Sequence, residues 1–282
     1  MSDPQCATVS APWWLWPNVF NLDAPLVAVV WQELLAQEVC VDLSWRHRWL
    51  LFLAVWMVYF VDRCLDARIG RLEDTDRHRR HREISGLGWT IQGGVCAVGL
   101  ILAFQSLNRE GWLAAGVVGL ATGIWFALTH LNGSGAWWLP KEAGVGVVFA
   151  AGVALQPWAL TTLPGVELLV GGGVLAAVCV QNCASITVWE SLPADRGNRR
   201  SLLNRWPGWS RHVSRVSLGL AALVATLAML PLSDRWRGLE ICATGSLLAL
   251  WALGTGRPEN RRRETRMLAD LALLTPLPVI VA

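Results

Sequence analysis

Apolar residues run along this chain in blocks of about twenty, the length at which a helix rising 1.5 Å per residue matches a hydrocarbon core of about 30 Å. Short stretches rich in arginine, aspartate, proline and glycine separate the blocks. The pattern predicts nine helices, at 24–41, 48–66, 88–106, 111–129, 140–160, 165–189, 212–231, 236–254 and 267–282. Gln32, Glu33, Gln37 and Glu38 interrupt the first, a pattern that also suits an amphipathic helix lying in the membrane interface. Trp13, Trp14 and Trp16 before it, and Trp137 and Trp138 at the fifth, are expected as interfacial anchors. The expected architecture is all-α: residues 1–23 form a cytoplasmic or interfacial segment, and 24–282 form one transmembrane helical domain.

Composition sharpens this reading. Only 16% of the 282 residues are charged and 54% are hydrophobic, whereas a soluble domain carries charge on about a quarter of its residues. The net charge of +3 is unevenly placed. Arginines crowd three stretches: Arg63 to Arg82, Arg196 to Arg215, and Arg257 to Arg266. Lys141 stands alone before the fifth block. Basic loops stay on the cytoplasmic side, so these loops and the N-terminus are expected inside and the C-terminus outside, in the inner membrane if the source is bacterial. No cleavable signal is expected, since a basic region followed by a compact apolar stretch and a small-residue cleavage site is missing. The seven cysteines form no CxxC pair; Cys179 and Cys183, on one helix face, read as apolar filling. His78 and His81 lie in the loop Arg77-His78-Arg79-Arg80-His81-Arg82 without partners for zinc or haem. Arginines beside a membrane are explained by topology and anionic lipid, and no recognition motif points to nucleic acid.

Candidate chemistry lies at two acidic helix mouths. Tyr59, Asp62 and Asp66 follow i, i+3, i+7 spacing and line one stripe of the second block, which then runs into arginines. Asn182, Ile186 and Glu190 repeat this on the sixth block, with Pro193, Asp195 and Arg196 just beyond. Such acid–arginine mouths also serve as plain helix terminators and headgroup contacts. Two of them together suit a shared site. Asp62, Asp66, Glu190 and Asp195 would form the oxygen-rich set that magnesium takes. Arg63, Arg68, Arg77, Arg79, Lys141 and Arg196 would hold phosphate oxygens. Asp270, in the last block ahead of Thr275 and Pro276, reads as a single midspan acid without a counterpart. The glycine runs Gly93-Gly94 and Gly171-Gly172-Gly173 are expected to permit close helix contact.

The stretch VDRCLDARIGRLEDTDRHR resembles the first aspartate-rich region of the UbiA-type intramembrane prenyltransferases, whose pattern is NDxxDRxxD followed by a Thr–Arg element. Asp62, Arg63 and Asp66 match the DRxxD half, and Thr75 and Arg77 fall at the Thr–Arg element. QNCASITVWESLPADRG is similar to the second region, with Glu190 and Asp195 near the expected acids but one residue out of register. Lys141 resembles the basic residue that the family often places before its fifth helix. The chain departs from the pattern at Val58 and Tyr59, where the family has Asn-Asp, and at Asn182 and Thr187, where an acid is expected.

The resemblance implies a polyprenyl diphosphate bound with its head at the cytoplasmic mouth and its tail among the helices. It further implies Mg2+ and basic residues stabilising the departing diphosphate, and transfer of the prenyl group to a lipophilic, usually aromatic, acceptor. On this reading Asp62, Asp66, Glu190 and Asp195 are catalytic and metal-binding. The diphosphate would meet Arg63, Arg68, Arg77, Arg79, Lys141, Arg196, Asn182 and Tyr59; Tyr59 or Trp189 would face a carbocation. Two alternatives stand beside it: a membrane protein that kept the prenyl-lipid cavity but lost turnover, and a transporter coupling ions through the carboxylates.

Overall fold

The computed structural model describes residues 20–68, 85–131, 140–162, 165–190, 202, 206, 208–230, 235–256 and 262–281. Among them there is no strand, and nearly every residue is helical. This is the outcome an apolar environment dictates: without water, backbone N–H and C=O groups must be satisfied within the segment. The helices are α1 (Asp23–Glu38), α2 (Trp45–Arg68), α3 (Ser85–Ser106), α4 (Arg109–Phe126), α5 (Lys141–Leu160) and α6 (Gly165–Glu190). There follow α7 (Trp209–Ala228), α8 (Arg237–Thr255), α9 (Arg262–Leu271) and the short α10 (Leu277–Val281). Every block read from the sequence contains a helix, with ends within a few residues, except the last, which is broken.

Five helices among the described residues are long and apolar enough to cross a membrane: Trp89–Ser106, Arg109–His130, Lys141–Leu160, Leu168–Trp189 and Arg237–Thr255. That is compatible with an integral membrane protein. The remaining blocks are more polar or shorter. Helix α1 has 16 residues, α2 carries Arg46, Arg48, Asp62 and Arg63, and α7 opens on Arg211, His212 and Arg215.

Helix α1 does not lie apart as an interfacial helix would. It packs on α2, α5, α8 and α9, with Ala28, Trp31 and Leu35 fully enclosed. Its polar residues have uses in the bundle. Arg48 of α2 grips Glu33 through Nε and Nη2 at 2.7 and 2.9 Å. Glu38 accepts a hydrogen bond from the Leu239 N–H at 3.0 Å, satisfying one of the donors that the first turn of α8 leaves open. The Trp13, Trp14, Trp16, Trp137 and Trp138 expectations lie outside the described residues.

Helix α5 is held between α4 and α6 by glycines. A Cβ on Gly144 would run into the Trp125 ring of α4, and one on Gly146 would come within 2.5 Å of the Val180 nitrogen in α6. Gly171 and Gly172 do the same against the rings of Trp236 and Trp158. Gly93, Gly94 and Gly173, expected to permit close helix contact, do not: nothing stands within 4 Å of a Cβ on any of them. Helix α3 lies on α2 and α4 on α5, while α3 and α4 diverge from the turn at Leu107 and Asn108. Their outer faces carry Phe104, Leu113, Val117 and Leu120 in the open, each more than 60% exposed, which is how a lipid-facing surface is composed.

The block at 267–282 is two helices with a break. After α9, residues Ala272–Leu274 form a 3-10 turn, and Thr275 and Pro276 form a bend. Proline lacks the N–H that would continue the ladder. Groups around the break bond across the bundle. Trp31 Nε1 donates to the Leu273 carbonyl at 2.7 Å, Thr275 Oγ1 to the Cys242 carbonyl at 2.8 Å, and the Ser246 and Thr275 hydroxyls pair at 2.8 Å.

A matched pair of variants checks the glycine contacts. Gly146→Val is expected to cost about 1–3 kcal/mol through overpacking and to lower the thermal midpoint in detergent. Gly93→Val, introduced into open space, should leave the midpoint in place. Equal midpoints for the two variants would contradict the α5–α6 geometry.

Candidate functional site

Asp62 projects from α2 about 9 Å before that helix ends at Arg68, at 1.5 Å per residue. Two basic side chains from other helices meet its Oδ1. His130 Nε2 donates at 3.2 Å, and the Lys141 ammonium stands at 3.7 Å. The imidazole is almost enclosed, with 6% of its side chain exposed, whereas Asp62 and Lys141 each keep 27%. Arg63, the next residue on α2, adds its charge to the surroundings of Asp62. Tyr59, one turn earlier, is half-buried.

Local structure explains how these groups arrive. Helix α4 does not end as an α-helix: Ala127–Leu131 form a π turn. Such turns insert a residue and re-aim the side chains after it. Thr129 Oγ1 donates to the carbonyls of Trp125 and Phe126 at 2.7 and 3.1 Å, and the Phe126 ring lies 5.7 Å from the imidazole. Lys141 is the first residue of α5, after Pro140, where proline's fixed φ suits the entry to a helix. Glu142, beside it, is buried and accepts from the Leu202 N–H at 3.1 Å, which fastens the segment before α7 to this end of the bundle.

At an effective dielectric near 20, a pair at this separation attracts by about 4 kcal/mol before desolvation is subtracted, and by much less after it. The chemical consequence is clearer than the energy. Lys141, Arg63 and the His130 imidazole stand around one carboxylate, so the charge at this mouth favours a bound anion.

Of the residues expected at the site, Asp62, Arg63, Lys141 and Tyr59 share this mouth or adjoin it. The expectations for Arg77, Arg79, Asp195 and Arg196 lie outside the described residues. For Asp66, Arg68 and Glu190 only the helical position is described. Among the described residues, no three His, Cys, Asp or Glu side chains gather around a common point. The all-carboxylate set proposed for magnesium suits that ion's preference for oxygen, and Asp62 is its one member whose side chain is described.

Asn182 meets a different partner: its Nδ2 donates to Asp270 Oδ1 of α9 at 3.4 Å. Asp270, read from the sequence as a single midspan acid without a counterpart in a matching half, thus has an amide for a partner. The next residue, Gln181, binds Ser217 Oγ and the Val213 carbonyl of α7 at 2.7 and 2.9 Å. Sequence reasoning missed His130 and Glu142. One weak signal for His130 was a basic ring closing an apolar run directly before the gap that Lys141 ends.

No family model, curated protein or solved structure matches the chain.

A double-mutant cycle tests the mouth. Asp62→Asn and Lys141→Met should each destabilise the protein, and the pair should show a coupling of about 0.5–3 kcal/mol, the range for charged side chains in contact. Additive effects in thermal unfolding would mean that the two groups do not interact.

Proposed function

We propose that the chain is a nine-span UbiA-type intramembrane prenyltransferase, moving a polyprenyl group from its diphosphate to a lipophilic, aromatic acceptor. The observation that carries the reading is the convergence of Asp62, His130 and Lys141 from three helices at one end of an apolar bundle. A prenyl diphosphate has a polyanionic head and a long apolar tail; this mouth favours the first, and helices facing lipid favour the second. With α1, α2, α7 and the broken α9–α10 counted as membrane-crossing, the chain has nine spans, and the arginine-rich loops lie on the cytoplasmic side.

Lys141, Arg63, Arg68, Arg77, Arg79 and Arg196 hold the diphosphate oxygens, and Asp62 steadies the Lys141 ammonium. The allylic C–O bond breaks and its electron pair leaves with the diphosphate. The allylic carbon bonds to the acceptor, which loses one proton. Tyr59 and the apolar walls keep water from the cation. Magnesium would be held by Asp62, Asp66, Glu190 and Asp195, where it would neutralise charge on the departing diphosphate.

A second reading has its own support. Asp62 Oδ1 is already engaged by His130 and Lys141, and Val58 and Tyr59 replace the family's Asn-Asp; both features suit a protein that binds prenyl lipid without turning it over.

The deciding measurement is binding of geranylgeranyl diphosphate to the purified protein, with and without Mg2+, while released diphosphate is assayed in the same tube with a lipid extract as acceptor. Magnesium-dependent binding with release is expected. Binding without release across acceptors would favour the second reading, and no binding at any chain length would overturn both. Asp66→Ala should abolish release while the protein stays folded in detergent; full activity in that variant would contradict the site assignment. Lys141→Met should weaken diphosphate binding about tenfold, the worth of a charged hydrogen bond.

A further inference from the structure

We propose that the outward face of α7 binds an anionic phospholipid, its phosphate held by Arg211 and Arg215 and one acyl chain laid along the helix below them. The site uses neither Asp62 nor Lys141; it needs α7 to cross the membrane but does not need prenyl transfer. Helix α7 buries Val213, Ser217, Ala221 and Val224, a stripe at i, i+4, i+8 and i+11, and packs on α6 and α8. Arg211, Arg215, Leu218 and Ala222 fall on the opposite side of the helix, and all four are exposed.

The two arginines are neighbours one turn apart. Neither guanidinium makes an ion pair or a side-chain hydrogen bond among the described residues, and α7 contains no acid. Each offers a planar fork of N–H groups that matches two phosphate oxygens. Trp206, 50% exposed, stands just before the helix, its carbonyl accepting from the Trp209 N–H at 2.8 Å; an aromatic ring there suits the headgroup level. Below the arginines, no charged residue occurs from Val216 to Leu230. That stretch is about 22 Å of helix, shorter than a hydrocarbon core of about 30 Å, so the arginine stems reach up along it to the phosphates. The face beneath Arg215 is low: nothing stands within 4 Å of a Cβ on Gly219. Leu218, Leu223 and Met229 are exposed beside and beyond it, as a surface for an acyl chain is composed. Charge selects the headgroup. A choline headgroup brings its own cation to two that are uncompensated, whereas a headgroup of net negative charge brings none. A soluble acidic partner would leave the apolar part of the face uncovered.

The test titrates the full chain in neutral detergent with dioleoylphosphatidylglycerol or dioleoylphosphatidylcholine, which share their acyl chains, and counts bound lipid by native mass spectrometry. Wild type is expected to prefer the phosphatidylglycerol. Arg211→Gln and Arg215→Gln should each weaken its binding about fivefold and together about 25-fold, as arginines near a charged surface are worth, with phosphatidylcholine binding unchanged. Arg109→Gln, which removes an exposed cation at the start of α4, should leave the preference in place. Arg211→Lys with Arg215→Lys keeps both charges without the forks; it should give an intermediate loss, and serves if the glutamine variants fail to fold. Glycerophosphoglycerol, the same headgroup without chains, should not displace the lipid at equal concentration. Absence of a preference in wild type, or a preference that survives loss of both arginines, would overturn the proposal. Equal competition by the chainless headgroup would overturn it in favour of a soluble phosphate ligand. The readout is lipid binding alone, so its failure leaves the transferase reading standing, and failure of that reading leaves this site standing.

Discussion

The close approach of α5 to its neighbours is the constraint on which the mouth depends. Helices in lipid gain little from the hydrophobic effect when they meet, so contact distance decides how they associate. Gly144 and Gly146 let α5 sit directly on Trp125 of α4 and on the backbone of α6 at Val180. The Gly144–Trp125 contact is one turn from Lys141 on one helix and about one turn from His130 on the other. The same few residues therefore set both basic groups against Asp62. Sliding α5 by a single turn would carry the ammonium about 5 Å along the axis and dissolve the cluster. The chemistry of the mouth is thus specified by small residues that themselves carry no charge.

Elsewhere the polar groups inside the bundle act as cross-braces. Glu33 binds Arg48, Glu38 caps α8, and Trp31 bonds to the opened turn after Leu271. Gln181 ties α6 to α7. Each bond joins two different helices, which is why α1 sits at the centre despite its polar residues and why α9 breaks without losing its place. A hydrogen bond across helices in apolar surroundings is worth modestly more than nothing, and an unmet group costs more than the bond returns. The distribution follows that asymmetry in part: these braces are met, while the amide of Gln32, fully buried on α1, has no hydrogen-bond partner among the described residues.

Much of the fold was legible in the sequence because block length and hydrophobicity are local properties. What escaped was whatever depends on facing. Gly93-Gly94 and Gly171-Gly172 look alike as text, yet the first pair faces open space and the second meets two tryptophan rings. Glu33 and Glu38 read as interruptions of a span because their partners, Arg48 and the start of α8, are 15 and 201 residues away. The Asp62 carboxylate was found through its stripe and motif; His130, 68 residues on, has no such stripe, and a π turn shifts it out of helical register. The break after α9 was foreshadowed by Thr275 and Pro276. Its survival depends on donors from α1 and α8, and no pattern within the segment records them.

The two polar places in this bundle differ in kind. Around Asp62, Lys141, Arg63 and the His130 imidazole meet one carboxylate, so that end of the bundle gains by taking negative charge. Between α6 and α9 the contact is an amide on a carboxylate, Asn182 Nδ2 to Asp270 Oδ1 at 3.4 Å, and it acts as another brace between helices. An acid at position 182 would set two like charges against each other in apolar surroundings, where they repel with little screening. The amide keeps the contact without that repulsion, which gives a physical reason for asparagine at this place.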